Sequence, residues 1–316
     1  MRQSLSRTAL AISLFFGACD WGSAAEPKPR AVRVPIGTAE AVFRLIEPKA
    51  DGIDYPDFYI LETEVTNRQC KQFLTESHRS KDDSDVLQIV KKREPSDLFS
   101  FSISTGDVPY SVEDPASIWR NGQYPPGQGS SPVSLVTLQD AKGFCEWLSA
   151  KNPTRGLFRL PTWNEWMIAA YGRSRKYPWG DDWDRSRVHM SYGYAYPNFP
   201  KRTEDVKARP TGKTPQGLFG MLGNVAEFTD EGDPTNQDYF NLGARWMGGG
   251  FTEGRFSEPE DRVQPRQDYW GYSHHSALRQ SDLGFRVVLD PSKDLSLLKR
   301  PRVFAQKNRA WMIDNK

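Results

Sequence analysis

A short loop in the C-terminal half of the chain concentrates residue types that could carry out chemistry. The stretch RWMGGGFTEGRFSEPEDR runs from Arg245 to Arg262, and its three consecutive glycines are followed by Glu253 and Glu258. Glycines in a row relax the backbone and mark a bend or a close approach. Paired carboxylates can bind a hard metal ion or exchange protons with a substrate. Because arginines and further acids lie between them, an exposed loop of mixed charge is the competing interpretation.

The histidines are a second set of candidate metal ligands. His274 and His275 follow the loop, and neighbouring residues of a strand point to opposite faces, so they rarely reach one ion together. A site of two histidines and one carboxylate would need one of this pair with His189 or His78. The sequence contains no Ser-His-Asp pattern, phosphate-binding loop or dinucleotide fingerprint.

The N-terminus has the pattern of an export signal, which predicts an extracytoplasmic protein. MRQSLSR is a short basic region, and TALAISLFFGA is an apolar run too short to span a bilayer. FGAC resembles a lipoprotein cleavage box, which would place a lipid on Cys19 and make that lipid the protein's contact with the membrane. GSAAE alternatively allows ordinary cleavage after Ala25. Both processing routes stay open.

Cys70 and Cys145 remain after either cleavage, because the chain has three cysteines in all. In an oxidising compartment the two could form a disulfide. Cysteines in helices also occur as plain buried apolar residues, and the sequence slightly favours that alternative.

The composition points to a loop-rich globular domain. The chain has 25 glycines, 23 prolines and 10 tryptophans, which is unlike a helical bundle. Its 42 basic and 40 acidic residues nearly cancel, so the net charge of +2 gives no reason to expect nucleic-acid binding.

Periodicity and capping signals place the regular elements. AVFRLIE and DFYILETEVT alternate as strands, and TNRQCKQFLTES has helical spacing after a cap at Thr66 or Asn67. The clearest helix follows Thr137, and a further one begins at Thr162 with Glu165 completing a capping box. The predicted organisation is a signal (1–25), a linker (26–33), one domain (34–290) with a charged exposed insertion (79–98), and a basic tail (291–316), either packed or frayed.

Six segments in order carry a resemblance to a known family. They are YILETEVTNRQCKQF, PVSLVTLQDAKGFCEWLS, FRLPTWNEWMIAAYG with YPWGD, GLFGMLGNVAEFTDE, MGGGF and DLGFRVV. Together they resemble the formylglycine-generating enzyme family, also called the sulfatase-modifying factor family, over about residues 34–290. The resemblance implies an α+β, C-type-lectin-like fold that is loop-rich with little regular secondary structure.

The resemblance also implies a reaction that this chain is poorly equipped to perform. Family enzymes use O₂ to oxidise a cysteine of a client sulfatase to formylglycine, with copper(I) held by two cysteines after a Gly-Gly-Ser loop. Glu253 and Glu258 stand at those positions here, and no cysteine follows Cys145. Carboxylates are hard ligands that hold copper(I) poorly. We therefore expect a binding or scaffold module without this activity; the alternative is an active formylglycine-generating oxidoreductase or another metal-dependent enzyme.

Calcium is the cofactor that the resemblance implies. The corresponding family site would use the carboxylate of Glu227 with backbone oxygens, and such hard ligands suit Ca²⁺. The alternative is that Glu227 caps the loop or forms a salt bridge. The predicted first set is Leu222, Gly223, Val225 and Glu227, and a second, weaker set is Asn198, Phe199 and Asp205.

A surface groove is the expected binding site for a protein, peptide or glycan ligand. Aromatic side chains near the glycine loop would offer stacking faces to such a ligand. The groove candidates are Gly248, Gly249, Gly250, Phe251, Trp270, Tyr272, His274 and His275.

Overall fold

The structure, a computed structural model, describes residues 28–83, 110–111, 118–190, 202–230, 244–251, 270–273, 279–291 and 312–314. Short strands and a few helices are joined by long irregular segments, which is the α+β, loop-rich architecture that the resemblance implies. The helices are α1 (Asn67–Glu76), α2 (Leu138–Lys151) and α3 (Trp163–Tyr171). The strands are β1 (Ala31–Ile36), β2 (Ala39–Ile46), β3 (Phe58–Leu61), β4 (Arg79–Lys81), β5 (Tyr110–Ser111), β6 (Leu157–Arg159), β7 (Ala226–Thr229), β8 (Ala244–Met247), β9 (Trp270–Ser273), β10 (Arg279–Gln280), β11 (Leu283–Gly284), β12 (Val288–Asp290) and β13 (Met312–Asp314).

Each of the three helices begins with a complete capping box. A threonine hydroxyl accepts the N–H of the third helical residue, whose side chain accepts the N–H of the threonine. The signals predicted at Thr137 and at Thr162 with Glu165 are confirmed, and Thr66 rather than Asn67 caps α1. These local bonds satisfy N–H groups that have no partner within the helix.

The main sheet has the order β1-β2-β3-β12-β6, with antiparallel neighbours. It packs with α1 and α2 around the larger apolar core. The predicted apolar stripe of α2, consisting of Ala141, Phe144, Cys145 and Leu148, is buried there. Because β12 lies between β3 and β6, the segment just before it, which includes Arg286, is brought into the centre of the fold.

The second sheet, β11-β7-β8-β9, carries the segments of functional interest. Strand β7 contains Glu227 and pairs with β8, which leads directly into Gly248. A smaller apolar core, centred on the fully buried Trp166 of α3, includes Met247 at the end of β8. The packing of α3 therefore fixes the start of the glycine loop.

Three predicted segment boundaries differ from the structure. Strand β1 begins at Ala31 and pairs with β2, so the segment predicted as a linker is already part of the sheet there. The predicted exposed insertion begins with strand β4, and Lys81 and Asp83 are buried because they form an ion pair. Residues 312–314 of the tail pair with β4 as strand β13. Among the described residues, no helix combines the length and apolar character needed to cross a bilayer.

Candidate functional site

The three glycines after β8 are required by close packing. Gly248 has φ 89°, and a Cβ on it would lie 2.9 Å from Cζ2 of the Trp166 indole. A Cβ on Gly250 would lie 2.5 Å from both Cβ and the carbonyl oxygen of Asp282. A side chain at either position would therefore collide with its neighbours. The loop begins pressed against the core.

Three chain segments meet at the base of this loop. The N–H of Gly223 donates to the carbonyl of Gly248 at 3.0 Å, and the N–H of Phe251 donates to the carbonyl of Asn224 at 3.0 Å. The N–H of Asn224 donates to the carbonyl of His189 at 2.8 Å. These backbone bonds hold the loop, the turn at residues 223–224 and the segment around His189 together.

The predicted groove is only partly represented in this arrangement. Gly248, Gly249 and Gly250 are buried, and Phe251 is fully buried, so these four residues present no surface to a ligand. The expectation that Phe251 lines a surface groove is wrong, because its ring completes the packing under the loop. In β9 the backbone of Trp270 pairs with Met247, and that of Tyr272 with Arg245. His274, His275, Glu253 and Glu258 lie outside the described residues.

An open pocket of about 320 Å³ lies beside the junction. Glu204 is held there by His189 Nδ1 at 3.1 Å and by Arg209 Nε at 2.8 Å. Burial alone would raise the pKa of Glu204, but the hydrogen bonds from these two partners outweigh it and lower the pKa to about 2. The lining includes Arg187, Asp205, Phe219, Gly220, Leu222 and Asn224.

His189 links the pocket to the junction through both ring nitrogens. Nδ1 faces the Glu204 carboxylate, and Nε2 lies 2.9 Å from the carbonyl oxygen of Arg202. Both partners can only accept hydrogen bonds, so the arrangement favours an imidazolium that donates from both nitrogens. The sequence offered His189 as a distant metal ligand, whereas the structure uses its ring to position Glu204.

Glu227 lies in the core below the pocket and has a cationic partner. Its Oε1 contacts Arg286 Nη2 at 2.5 Å, and its Oε2 accepts from Arg286 Nε at 2.6 Å and from Trp166 Nε1 at 2.7 Å. Glu227 and Arg286 are both fully buried. The pair therefore joins α3, β7 and the segment before β12 in one network, with strong, charge-assisted hydrogen bonds.

The predicted calcium set does not fit this geometry. Leu222, Gly223 and Val225 lie on the expected loop, but both carboxylate oxygens of Glu227 are occupied by Arg286 and Trp166. The alternative, that Glu227 forms a salt bridge, describes its observed contacts. For the second set, Asp205 is exposed at the pocket and accepts the N–H of Lys207 at 2.8 Å. Asn198 and Phe199 lie outside the described residues.

Sequence reasoning missed Glu64, a fully buried carboxyl near this network. Burial raises the pKa of Glu64 to about 8; Arg286 opposes the rise and Glu227 adds to it. The available signal was the segment TEVTN, where an acid immediately follows the strand β3 and precedes the buried Val65. An acid at that place in a core strand region needs a specific partner.

The two described cysteines offer no reactive thiolate. Cys70 and Cys145 are free and buried. Burial raises the pKa of Cys70 to about 12 and also raises the pKa of Cys145. Because the thiolate is the nucleophile and the metal ligand, both act as apolar core residues. Cys19 lies outside the described residues.

Comparison with known proteins agrees with the motif order. The sequence model described as "Sulfatase-modifying factor enzyme 1-like domain" matches residues 20–291. The chain is 35% identical over 153 residues to the inactive Cα-formylglycine-generating enzyme 2 of Mus musculus, a match covering 42% of this chain and 44% of the mouse protein. It is 30% identical over 190 residues to hercynine oxygenase of Mycolicibacterium thermoresistibile, covering 58% of this chain and 37% of that protein. The chain thus spans less than half the length of either relative.

A solved structure supports the fold. PvdO from Pseudomonas aeruginosa superposes with a TM-score of 0.52 and 17% identity, covering 84% of this chain and all of that one, at 100%. The α+β, loop-rich fold expected from the motifs is confirmed. Proteins with related sequences include one named inactive and one named an oxygenase, so relatedness alone leaves the activity open. With most of its length matched, the chain belongs to the sulfatase-modifying factor enzyme 1-like (FGE-sulfatase) family.

Proposed function

We propose that this protein is an extracytoplasmic binding or scaffold module that does not generate formylglycine with copper. The observation that carries the proposal is the glycine loop, which has the family backbone from Gly248 to Phe251 but glutamates at 253 and 258. Copper(I) prefers thiolates, and a carboxylate can form neither a thiolate nor a mixed disulfide with a client. The burial of Cys70 and Cys145 supports the proposal, because neither can replace the missing thiols.

The ligand would be a peptide or glycan segment bound near the loop. Trp270 and Tyr272 belong to β9, which pairs with the strand leading into Gly248, so their positions lie next to the loop. Since Phe251 is buried, the aromatic faces for stacking would come from Trp270 and Tyr272, with His274 and His275 following in sequence. Export would depend on the N-terminal signal, with either a lipid on Cys19 or cleavage after Ala25.

An aldehyde assay tests the absence of activity. The purified protein is incubated with copper, a reductant, O₂ and a peptide containing Cys-x-Pro-x-Arg, and the product is analysed by mass spectrometry. We expect no aldehyde above the level without protein. Metal analysis of the same sample should find no stoichiometric copper or iron. Aldehyde formation, or either metal at stoichiometric amounts, would establish the enzyme alternative instead.

A matched pair of variants asks whether the missing thiols are the reason. The double variant Glu253→Cys with Glu258→Cys supplies the two soft ligands, and Glu253→Ser with Glu258→Ser supplies similar small side chains without thiolates. Only the cysteine variant should bind copper(I) under reducing conditions. Equal copper binding by the two would contradict the assignment of these positions.

A further inference from the structure

One buried carboxylate beside the pocket has an oxygen without a partner. Oε1 of Glu64 accepts a hydrogen bond from Asn224 Nδ2 at 3.0 Å, whereas Oε2 has no hydrogen-bond partner among the described residues. Glu64 is fully buried. An ionised carboxylate in such a place is costly unless its charge is offset.

The charges around Glu64 do not balance. Glu64 and Glu227 are both fully buried, and Arg286 is the cation whose charge acts on both. The printed bonds of Arg286 go to Glu227 and to the carbonyls of Leu61 and Phe219, at 3.1 and 2.8 Å, and not to Glu64. With both carboxylates ionised, these three side chains carry one excess negative charge, which requires either a proton or a bound cation.

The unpartnered oxygen lies directly behind the pocket wall. A Cβ on Gly220 would be 2.4 Å from Oε1 and 2.6 Å from Oε2 of Glu64, so the carboxylate packs against the Cα of Gly220. Gly220 and Asn224 both line the pocket. The Asn224 amide donates to Glu64, and its oxygen accepts the N–H of Glu204 at 3.0 Å. The Gly220–Asn224 segment alone thus separates the carboxylate from the pocket.

We propose that Glu64 is the carboxylate ligand of a hard metal cation, of the Na⁺ or Ca²⁺ class, bound at the floor of this pocket between Gly220 and Asn224. Hard cations take carboxylate, amide, backbone and water oxygens. The described residues contain no group of three or more histidines, cysteines or acids that could hold a metal, which argues against zinc-like ions at this site. The site differs from the expected calcium set in its carboxylate, because Arg286 occupies Glu227.

The proton is the competitor for this site. Without a cation, burial holds the pKa of Glu64 at about 8, with Glu227 reinforcing the effect and Arg286 and Asn224 opposing it. Binding of a cation to the carboxylate must therefore release a proton at neutral pH. Below pH 8 the apparent affinity should fall by about tenfold for each pH unit, as for any metal ligand that must first lose a proton.

Thermal unfolding and calorimetry of the full chain test the proposal. Melting curves are recorded at constant ionic strength in choline chloride, NaCl, MgCl₂ and CaCl₂, below and above pH 8. We expect Tm to rise saturably with Na⁺ or Ca²⁺, more strongly at the higher pH, and calorimetry in buffers of different ionisation enthalpy to detect a released proton. No cation-dependent rise at either pH, or a rise without proton release, would overturn the proposal.

Two conservative variants locate the ligand. Glu64→Gln keeps the shape of the side chain but removes its charge, and it should abolish both the Tm rise and the proton release. Asp205→Asn alters an exposed acid of the same pocket and should leave both intact. The reverse pattern would refute the assignment to Glu64. If Glu64→Gln fails to fold, proton release by the unmodified protein still decides whether a carboxyl with a raised pKa is the ligand.

Discussion

The substitution Glu64→Gln should make the protein's stability much less sensitive to pH. In the folded protein, burial raises the pKa of Glu64 from 4.5 to about 8, against the opposing charge of Arg286 and with the help of Glu227. A folded-state pKa above the unfolded value stabilises the fold fully below pH 4.5, and this stabilisation is lost as the pH rises through 8. At about 1.4 kcal/mol per pH unit, the change from 4.5 to about 8 amounts to roughly 5 kcal/mol.

The assay is urea unfolding between pH 5 and pH 9 in EDTA and choline chloride, so that the proton competes with no metal ion. We expect the free energy of unfolding of the unmodified protein to fall by about 1.4 kcal/mol per pH unit more steeply than that of Glu64→Gln between pH 5 and pH 8. At pH 5 the two proteins should agree within about 1 kcal/mol, because both side chains are then neutral. Asp140, whose pKa burial raises to about 7 against the opposing hydrogen bonds from Thr137, adds an equal slope to both proteins and cancels in the difference.

Glu62→Gln is the matched control for this experiment. It makes the same chemical change two positions away, at a carboxylate that is paired with Arg44 and Lys207 at 2.5 Å each. This variant should lose its ion pairs and keep the pH slope of the unmodified protein. Parallel slopes for Glu64→Gln and the unmodified protein would refute the reasoning, because Glu64 would then be ionised in the core at no cost.

Two further substitutions test the packing and the ion pair under the glycine loop. Gly250→Ala should cost about 1–3 kcal/mol in the free energy of unfolding, because its Cβ would meet Asp282 at 2.5 Å, whereas Gly143→Ala in α2, whose Cβ would lie 3.7 Å from Phe73, should stabilise by about 1 kcal/mol; equal effects in urea unfolding would contradict the close-approach explanation. Glu227→Gln should cost about 3–5 kcal/mol, because it removes the counter-charge of the buried Arg286, and a change below about 1 kcal/mol would show that the pair is dispensable.

The sequence predicts well those features that depend on neighbouring residues. Capping boxes need only a threonine and a polar side chain three residues later, so the starts of α2 and α3 could be predicted. The buried stripe of α2 follows from helical spacing in the same way. The order of six motifs was enough to identify the family and its fold.

Long-range contacts explain what the sequence could not predict. Glu227 meets Arg286 and Trp166 across 59 and 61 residues, and no local pattern distinguishes that carboxylate from a calcium ligand. Strand β12 has to insert between β3 and β6 before Arg286 reaches Glu227. Phe251 was interpreted as a ligand-facing aromatic because glycine-rich loops are often exposed, yet backbone bonds to Asn224 place its ring in the core.

The same contacts explain why the glycine loop is a poor guide to activity. Gly248 packs on Trp166, whose indole donates to Glu227, and Glu227 in turn holds Arg286. The glycines are therefore needed for the fold whatever residues stand at 253 and 258. A match to the glycine motif reports that α3 and β7 are packed in the family manner. Whether a member of this family can bind copper has to be judged from the side chains that follow the glycines, and in this chain those are Glu253 and Glu258.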